Sequence, residues 1–240
     1  QLEDALCQKY NLTYASVIDN TDSSRDYVAM SAVNYFISQI QPKDVISVGW
    51  GNSVSRFIQN LHPMKFPNTQ IVPLAGSFGA TYEILPNYNV IRLADLTGGT
   101  AHLLHIPAFC SSAEEYQTLI ANEHTKELLT LAEHADIAIT GIGTFETSFL
   151  TRYEIMSQEE IQSLKDADAI GDIALQFLSR DGKPVDTDLT RRMIKADIFQ
   201  ISKNSRLSIG IAEGVYRAEI IHTALSLHLL NAFFTLKETA

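Results

Sequence analysis

Four times along this chain a mainly apolar run leads into a turn that carries a glycine. Asp44-Val45-Ile46-Ser47-Val48 leads into Gly49-Trp50-Gly51, and Gln70-Ile71-Val72-Pro73-Leu74 into Ala75-Gly76-Ser77-Phe78-Gly79. Ala135-Asp136-Ile137-Ala138-Ile139-Thr140 leads into Gly141-Ile142-Gly143-Thr144, and the run from Leu207 to Ala212 into Glu213-Gly214. Ala135 to Thr140 is a continuous apolar run of the kind that a strand buried on both faces of a parallel sheet requires. Helix-compatible stretches separate the runs, so the expected fold is α/β, a largely parallel sheet flanked by helices. In open sheets of this kind ligands bind beyond the carboxyl ends of the strands. Four glycine turns at such ends predict one shared site.

The remaining elements follow from spacing and punctuation. Residues 1–10 are expected to be helical and Tyr14 to Asp19 a strand. Ser23 or Ser24 offers a cap for a helix to about Ile40, with Val28, Ala32, Tyr35, Phe36 and Ile40 at helical spacing and Pro42 beyond it. Helices are also predicted over 53–61, over Val90 to about Ala101, over 112–134 with a break near Asn122, over 158–165 and over 189–196. Leu103 to Ala108 is read as strand-like, Ala169 to Leu178 as a strand closed by Asp181-Gly182, and Ala232 to Leu236 as the last strand. Glu213 to Arg217 is expected to open a helix running to about Leu230. No linker, repeat or shift in composition divides the 240 residues, which are taken as one domain.

Charge and composition exclude several classes. A formal net charge of −10 repels nucleic-acid phosphates over the surface as a whole, although a cleft sets its own potential. No apolar stretch approaches the roughly 20 residues of a membrane span, and no signal peptide opens the chain. A soluble, cytoplasmic protein is expected. The only two cysteines, Cys7 and Cys110, lie too far apart in sequence for a disulfide framework or a paired metal motif and are read as reduced thiols. His102 with His105 and His222 with His228 have no acidic or thiol partner at metal-ligand spacing, so no metal or cofactor is implied.

The first glycine turn carries the clearest chemistry. A strand, a glycine loop and a helix start leave unpaired N–H groups at the positive end of the helix dipole. Asn52, Ser53 and Ser55 add side-chain hydrogen-bonding groups to that junction. The turn is not Gly-x-Gly-x-x-Gly, because Val54 stands three after Gly51, and no Gly-Lys-Ser/Thr follows as in a phosphate-binding loop of nucleotide hydrolases. It falls one residue short of the Gly-x-Ser-x-Gly nucleophile elbow, since Ser55 replaces the second glycine, and no downstream histidine sits in a catalytic motif. A phosphorylated small molecule suits the junction; so does a tight turn that binds nothing.

Taken in order, Ser47-Val48-Gly49-Trp50-Gly51, Pro73-Leu74-Ala75-Gly76, Ala135 to Gly143, Ala169-Ile170-Gly171-Asp172-Ile173 with Phe177 and Asp181-Gly182, and Ala212-Glu213-Gly214 with Arg217 resemble the sugar-binding domain of the SorC family of bacterial transcriptional regulators. The resemblance covers nearly the whole chain. It implies a fold similar to ribose-phosphate isomerases and glucosamine-phosphate deaminases, used as a receptor for a phosphorylated sugar or sugar alcohol rather than as an enzyme. It implies effector-binding roles for Gly51, Asn52, Ser53 and Ser55 at the phosphate or polar end, and for Gly76, Ser77, Gly143 and Thr144 on the second and third loops. Asp172 is expected to accept hydrogen bonds from sugar hydroxyls. Family members carry a helix-turn-helix DNA-binding domain ahead of this one, absent from these 240 residues, so operator DNA is expected to be met only through that domain. Homodimers or homotetramers are expected as well.

One position departs from the family pattern. Arg217 stands where a lysine is usual; arginine keeps the cation and a bidentate fork for phosphate but is no nucleophilic amine. Ala75 occupies the region where some relatives carry another lysine. Both substitutions argue against a covalent adduct. The rival on the same fold is a sugar-phosphate isomerase with Asp172 as its base.

Overall fold

The apolar runs form a parallel sheet because their side chains alternate between two helical layers. In the computed structural model, residues 1–19, 24–77, 85–144, 149–152 and 155–240 are described. The strands are β1 (Tyr14–Ile18), β2 (Val45–Val48), β3 (Gln70–Pro73), β4 (Thr100–Ala101), β5 (Ile137–Gly143), β6 (Ala169–Ile173), β7 (Gln176–Ser179), β8 (Leu207–Ile211) and β9 (Ala232–Leu236). Seven of them pair in the order β1-β9-β8-β5-β2-β3-β4, every neighbouring pair parallel. The period of two sends Ile137 and Ile139 of β5, Ile71 of β3 and Phe234 of β9 to one face. There they meet Val28 and Phe36 of α2 (Ser24–Gln39), Phe57 of α3 (Asn52–Gln59) and Leu93 of α4 (Pro86–Thr97). Ala138, Val72 and Phe233 face the other way, against Leu128 of α6 (Glu123–Glu133), Ile201 of α9 (Ile198–Asn204) and Leu225 of α10 (Ala218–Ser226).

The strand order places the site. From β2 the chain steps outward to β3 and β4, then returns to the other side of β2 as β5 and continues outward through β8 and β9. The reversal lies between β2 and β5, and at such a switch point the loops after two adjacent strands part and leave a crevice. The strand β5 is longer than its neighbours. Residues 137–141 pair with β8, and Ile142 and Gly143 run past the sheet to pair with β6 in the antiparallel sense. The β6–β7 hairpin therefore stands on the carboxyl edge of the sheet, over its own cluster of Met156, Leu164, Leu175 and Phe177.

Several sequence expectations are corrected. Ala169 to Leu178 is two strands, because Ala174 and Leu175 take left-handed backbone at φ 52 and 60 and turn the chain. Gly141 and Gly143 lie inside β5 and not in a loop after it. Residues 193–196 are extended where a helix over 189–196 was expected: Gly76 donates to Ile194 O at 3.1 Å and Ala196 to Leu74 O at 2.8 Å, and only Thr190–Arg192 makes a short 3-10 turn. The helix comes later, as α9, with the Asp197 carboxylate accepting from Phe199 N. The α4 helix begins at Pro86 rather than Val90, since proline suits the first helical position and donates nothing there. It ends at a left-handed Gly98, short of Ala101, which lies in β4. Little of 103–108 is strand beyond a single bridge from Pro107 to Ser77. The final helix is a 3-10 turn over Val215–Arg217 followed by α10, and stops at Ser226. The break near Asn122 falls where expected: Asn122 ends α5 (Ala113–Ala121) and accepts from Thr125 N to cap α6. The short α1 (Leu2–Tyr10), α7 (Phe149–Arg152) and α8 (Gln158–Asp166) complete the helices of the described residues, within which Ser23, Phe78 and Gly79 do not fall.

Candidate functional site: a cleft where the sheet reverses direction

At the carboxyl ends of β2 and β5 lies a cleft of about 620 Å³, counting its part open to solvent. One wall is the first glycine turn and the start of α3, contributed by Trp50, Gly51, Asn52 and Ser53. The floor is β5 from Thr140 to Gly143, and the far wall holds Asp172, Ala174 and Arg217. Of the expected site residues the fold thus brings together Gly51, Asn52, Ser53, Gly143, Asp172 and Arg217.

The α3 wall has the form an anion requires. Gly51 occupies the N-cap at φ 91, a conformation that strains any residue with a Cβ, and as a glycine it has no side chain with which to cap the helix. The dipole's positive end and the first N–H groups therefore face the cleft without a built-in acceptor from the cap. Ser53 spends its hydroxyl proton elsewhere, donating to Glu213 Oε2 at 3.2 Å. Glu213 is buried, and its other oxygen lies 3.6 Å from Arg56 Nη1 of the same helix. Arg217 is steadied by the same residue, donating from Nη1 to the Glu213 carbonyl at 2.8 Å, with its guanidinium beside the Tyr216 ring.

Opposite, the hairpin delivers Asp172. Its Oδ2 accepts from Leu175 N at 3.1 Å, closing the turn from inside. Its Oδ1 occupies the space beside Gly143, where a Cβ would come within 2.7 Å of it. Gly171 permits a second close approach, since a Cβ there would sit 2.3 Å from the Gly143 carbonyl. Burial raises the Asp172 carboxyl from 3.8 to about 6, partly opposed by the Leu175 N–H and by the cations Arg217 and Lys195. Lys195, behind the hairpin, donates to Gln176 Oε1 at 2.9 Å; burial lowers its pKa against the pull of Asp197, Glu133 and Asp172. The cleft thus pairs a hydrogen-bond acceptor with a cation across a short span. That combination suits a polyol carrying an anionic group.

Four expected residues lie away from the cleft. Ser55 faces the opposite side of α3, in a depression shared with Asn89 and Arg92. Gly76 is packed against backbone, with any Cβ falling within 2.6 Å of Pro107 O, and Ser77 accepts from Asn87 Nδ2 at 3.0 Å. Thr144 is buried one residue beyond the floor, and its hydroxyl has no hydrogen-bond partner among the described residues. Trp50, Thr140, Ile142, Leu150 and Ala174 line the cleft without having been anticipated. Trp50, Thr140 and Ile142 stand inside the glycine-turn motifs but were given no role there, and Leu150 and Ala174 belong to no motif; the strand order is what brings them to the cleft. His102 bonds Gln70 at 3.0 Å and His222 bonds the Tyr10 hydroxyl at 2.7 Å; no histidine lines the cleft among the described residues.

The family model described as "Putative sugar-binding domain" matches residues 1–240. The sorbitol operon regulator of Klebsiella pneumoniae is 26% identical over 251 residues, covering 100% of this chain and 78% of that protein. The erythritol catabolism regulatory protein EryD of Brucella abortus (strain 2308) is 24% identical over 245 residues, covering 100% and 77% respectively. Among solved structures, a DeoR family transcriptional regulator from Listeria monocytogenes superimposes with a TM-score of 0.91 at 23% identity, covering 99% of this chain and 96% of that one. The full-length sorbitol operon regulator SorC from Klebsiella pneumoniae gives 0.90 at 23%, covering 99% and 78%, so the fold is shared throughout. With a cleft at the reversal of the sheet and a family match from end to end, the chain belongs to the sugar-binding domains of SorC-type transcriptional regulators.

Proposed function

We propose that this chain is the effector-binding domain of a transcriptional regulator of carbohydrate metabolism, and that its effector is a phosphorylated sugar or sugar alcohol. One observation carries the reading: the uncapped start of α3 and Arg217 lie in the same cleft as Asp172. The first two suit a phosphoryl group, and the carboxylate suits adjacent hydroxyls. The regulators named above for sorbitol and erythritol support a polyol-type ligand. Operator DNA is met through a separate helix-turn-helix domain, and effector binding alters DNA affinity through the oligomeric arrangement of these domains. The test is thermal stability against a panel of sugar phosphates and their unphosphorylated parents. A ligand of the native state adds RT ln(1 + [L]/Kd). Stabilisation by unphosphorylated sugars alone would overturn the anion part of the reading.

A carboxyl raised to about 6 is also what a sugar-phosphate isomerase needs in a base. Against catalysis, Asp172 and Arg217 are the only ionisable residues among those described lining the cleft, and an arginine does not shuttle protons near neutrality. Incubation of an aldose phosphate with concentrated protein decides the matter, since turnover would favour the enzyme.

A further inference from the structure

We infer that Glu213 is a specificity-determining positioning residue: through Ser53 it turns the mouth of α3 toward a phosphoryl group that retains a proton, and against a fully ionised dianion. The inference rests on the anion site proposed above and concerns which ionic form that site takes. Ser53 lines the cleft; Glu213 is buried behind it, at 5% exposure. A carboxylate only accepts hydrogen bonds, so the proton in the 3.2 Å contact between Ser53 Oγ and Glu213 Oε2 belongs to the serine. With that proton committed inward, Ser53 offers the cleft only lone pairs. An oxygen that can only accept recognises a P–OH and disfavours a P–O⁻.

The surrounding charges hold this arrangement. Arg56 of α3 stands 3.6 Å from Glu213 Oε1 and 3.8 Å from Asp26 of α2, so one arginine is divided between two carboxylates. Arg217 reaches the Glu213 carbonyl rather than its carboxylate, and Asp172 adds a second acidic group across the cleft. Among the described residues the lining holds one acid, Asp172, and one cation, Arg217, so a singly charged ligand meets less unbalanced charge there than a doubly charged one.

The experiment uses two oxyanions of similar size, inorganic phosphate and sulfate, titrated calorimetrically at about pH 6.5, where phosphate is mostly the monoanion with two P–OH groups and sulfate is a dianion with no proton. The wild-type chain is expected to bind phosphate at least tenfold more tightly than sulfate. In Glu213→Gln the amide donates to Ser53 and frees the hydroxyl proton, so sulfate affinity rises and the ratio falls to within about threefold. A merely structural role for Glu213 lowers both affinities together and does not raise one. Ser53→Ala, at a half-buried position, is the second variant: phosphate falls to the level of sulfate while sulfate stays unchanged. An unaltered phosphate-to-sulfate ratio in either folded variant overturns the role of Glu213 and leaves the anion site standing. Failure of both anions to bind the wild-type chain overturns the anion site and this inference with it.

Discussion

Asp172 and Gly143 are register partners across β5 and β6, and the carboxylate of the first fills the volume where a side chain on the second would begin. The glycine is thus part of how the acid is aimed. Gly143→Ala places a methyl 2.7 Å from Oδ1 and drives the carboxylate off its bond to Leu175 N. We expect effector affinity to fall at least about tenfold and stability by about 1–3 kcal/mol, the scale of a buried polar group losing its partner. Gly141→Ala, which also lines the cleft, is the control for stability alone, because a Cβ there meets nothing nearer than 3.8 Å. Equal losses of stability from the two substitutions in urea melts would show that Gly143 has no special relation to Asp172.

The ionisation of Asp172 opposes folding. Its carboxyl rises from 3.8 to about 6 on burial, so its favourable contribution is complete below about pH 3.8 and is lost as pH climbs through about 6. Over that window the loss is on the order of 3 kcal/mol. Asp172→Asn keeps an acceptor for Leu175 N and cannot ionise. Denaturant unfolding should find it more stable than wild type at pH 7.5, by on the order of 2–3 kcal/mol, and equal at pH 4. On the proposed function, the charged acceptor serves the effector, so effector binding should fall in the same variant. A stability difference that does not change with pH would refute the assignment.

Arg217 is the cation among the described lining residues. Arg217→Ala should weaken binding of a phosphorylated effector by about 1.5–3 kcal/mol, with a smaller effect on its unphosphorylated parent. Arg217→Lys restores charge without the fork and is expected to recover part of the loss. Isothermal titration of the pair of ligands against all three chains separates these outcomes.

Asn89 holds the first glycine turn from behind. Its amide donates to Gly49 O at 2.9 Å, in a fully buried position on α4. Asn89→Ala leaves that carbonyl without its donor, for a cost of about 1–3 kcal/mol in stability. The same change slackens the turn that carries Gly51, so phosphate affinity should drop although Asn89 touches no ligand. Hydrogen exchange at residues 49–53 should quicken in the variant; unchanged protection there would limit Asn89 to a role in packing.

The parallel sheet was legible wherever burial on both faces left a mainly apolar run with no charged residue in it, as from Ile137 to Ile139 and from Leu207 to Ile211. It failed where long-range contacts overrode local preference. Ala174 and Leu175 turn a hairpin in left-handed backbone with no glycine or asparagine to mark it, held by the Asp172 carboxylate on one N–H and by burial of the leucine side chain. Residues 193–196 have helical spacing and are extended because partners more than 80 residues away, such as Ala108 for Ile194, take their hydrogen bonds. In the site, Gly51, Asp172 and Arg217 stood in readable motifs. Glu213 stood in one as well, but only as part of a glycine turn; its role was not legible, since it lies in the contact with Ser53, 160 residues upstream.

The hairpin that supplies Asp172 is joined to the parallel sheet only along the last two residues of β5. Its turn and strands can lengthen, shorten or change residues without breaking a single ladder bond among the seven parallel strands. The wall at the start of α3, by contrast, is welded into the sheet's centre through β2 and α3. Variation among descendants of such a domain is therefore channelled: the wall that bears Asp172 can be remodelled as an appendage, while the wall at the start of α3 is inherited with the scaffold itself.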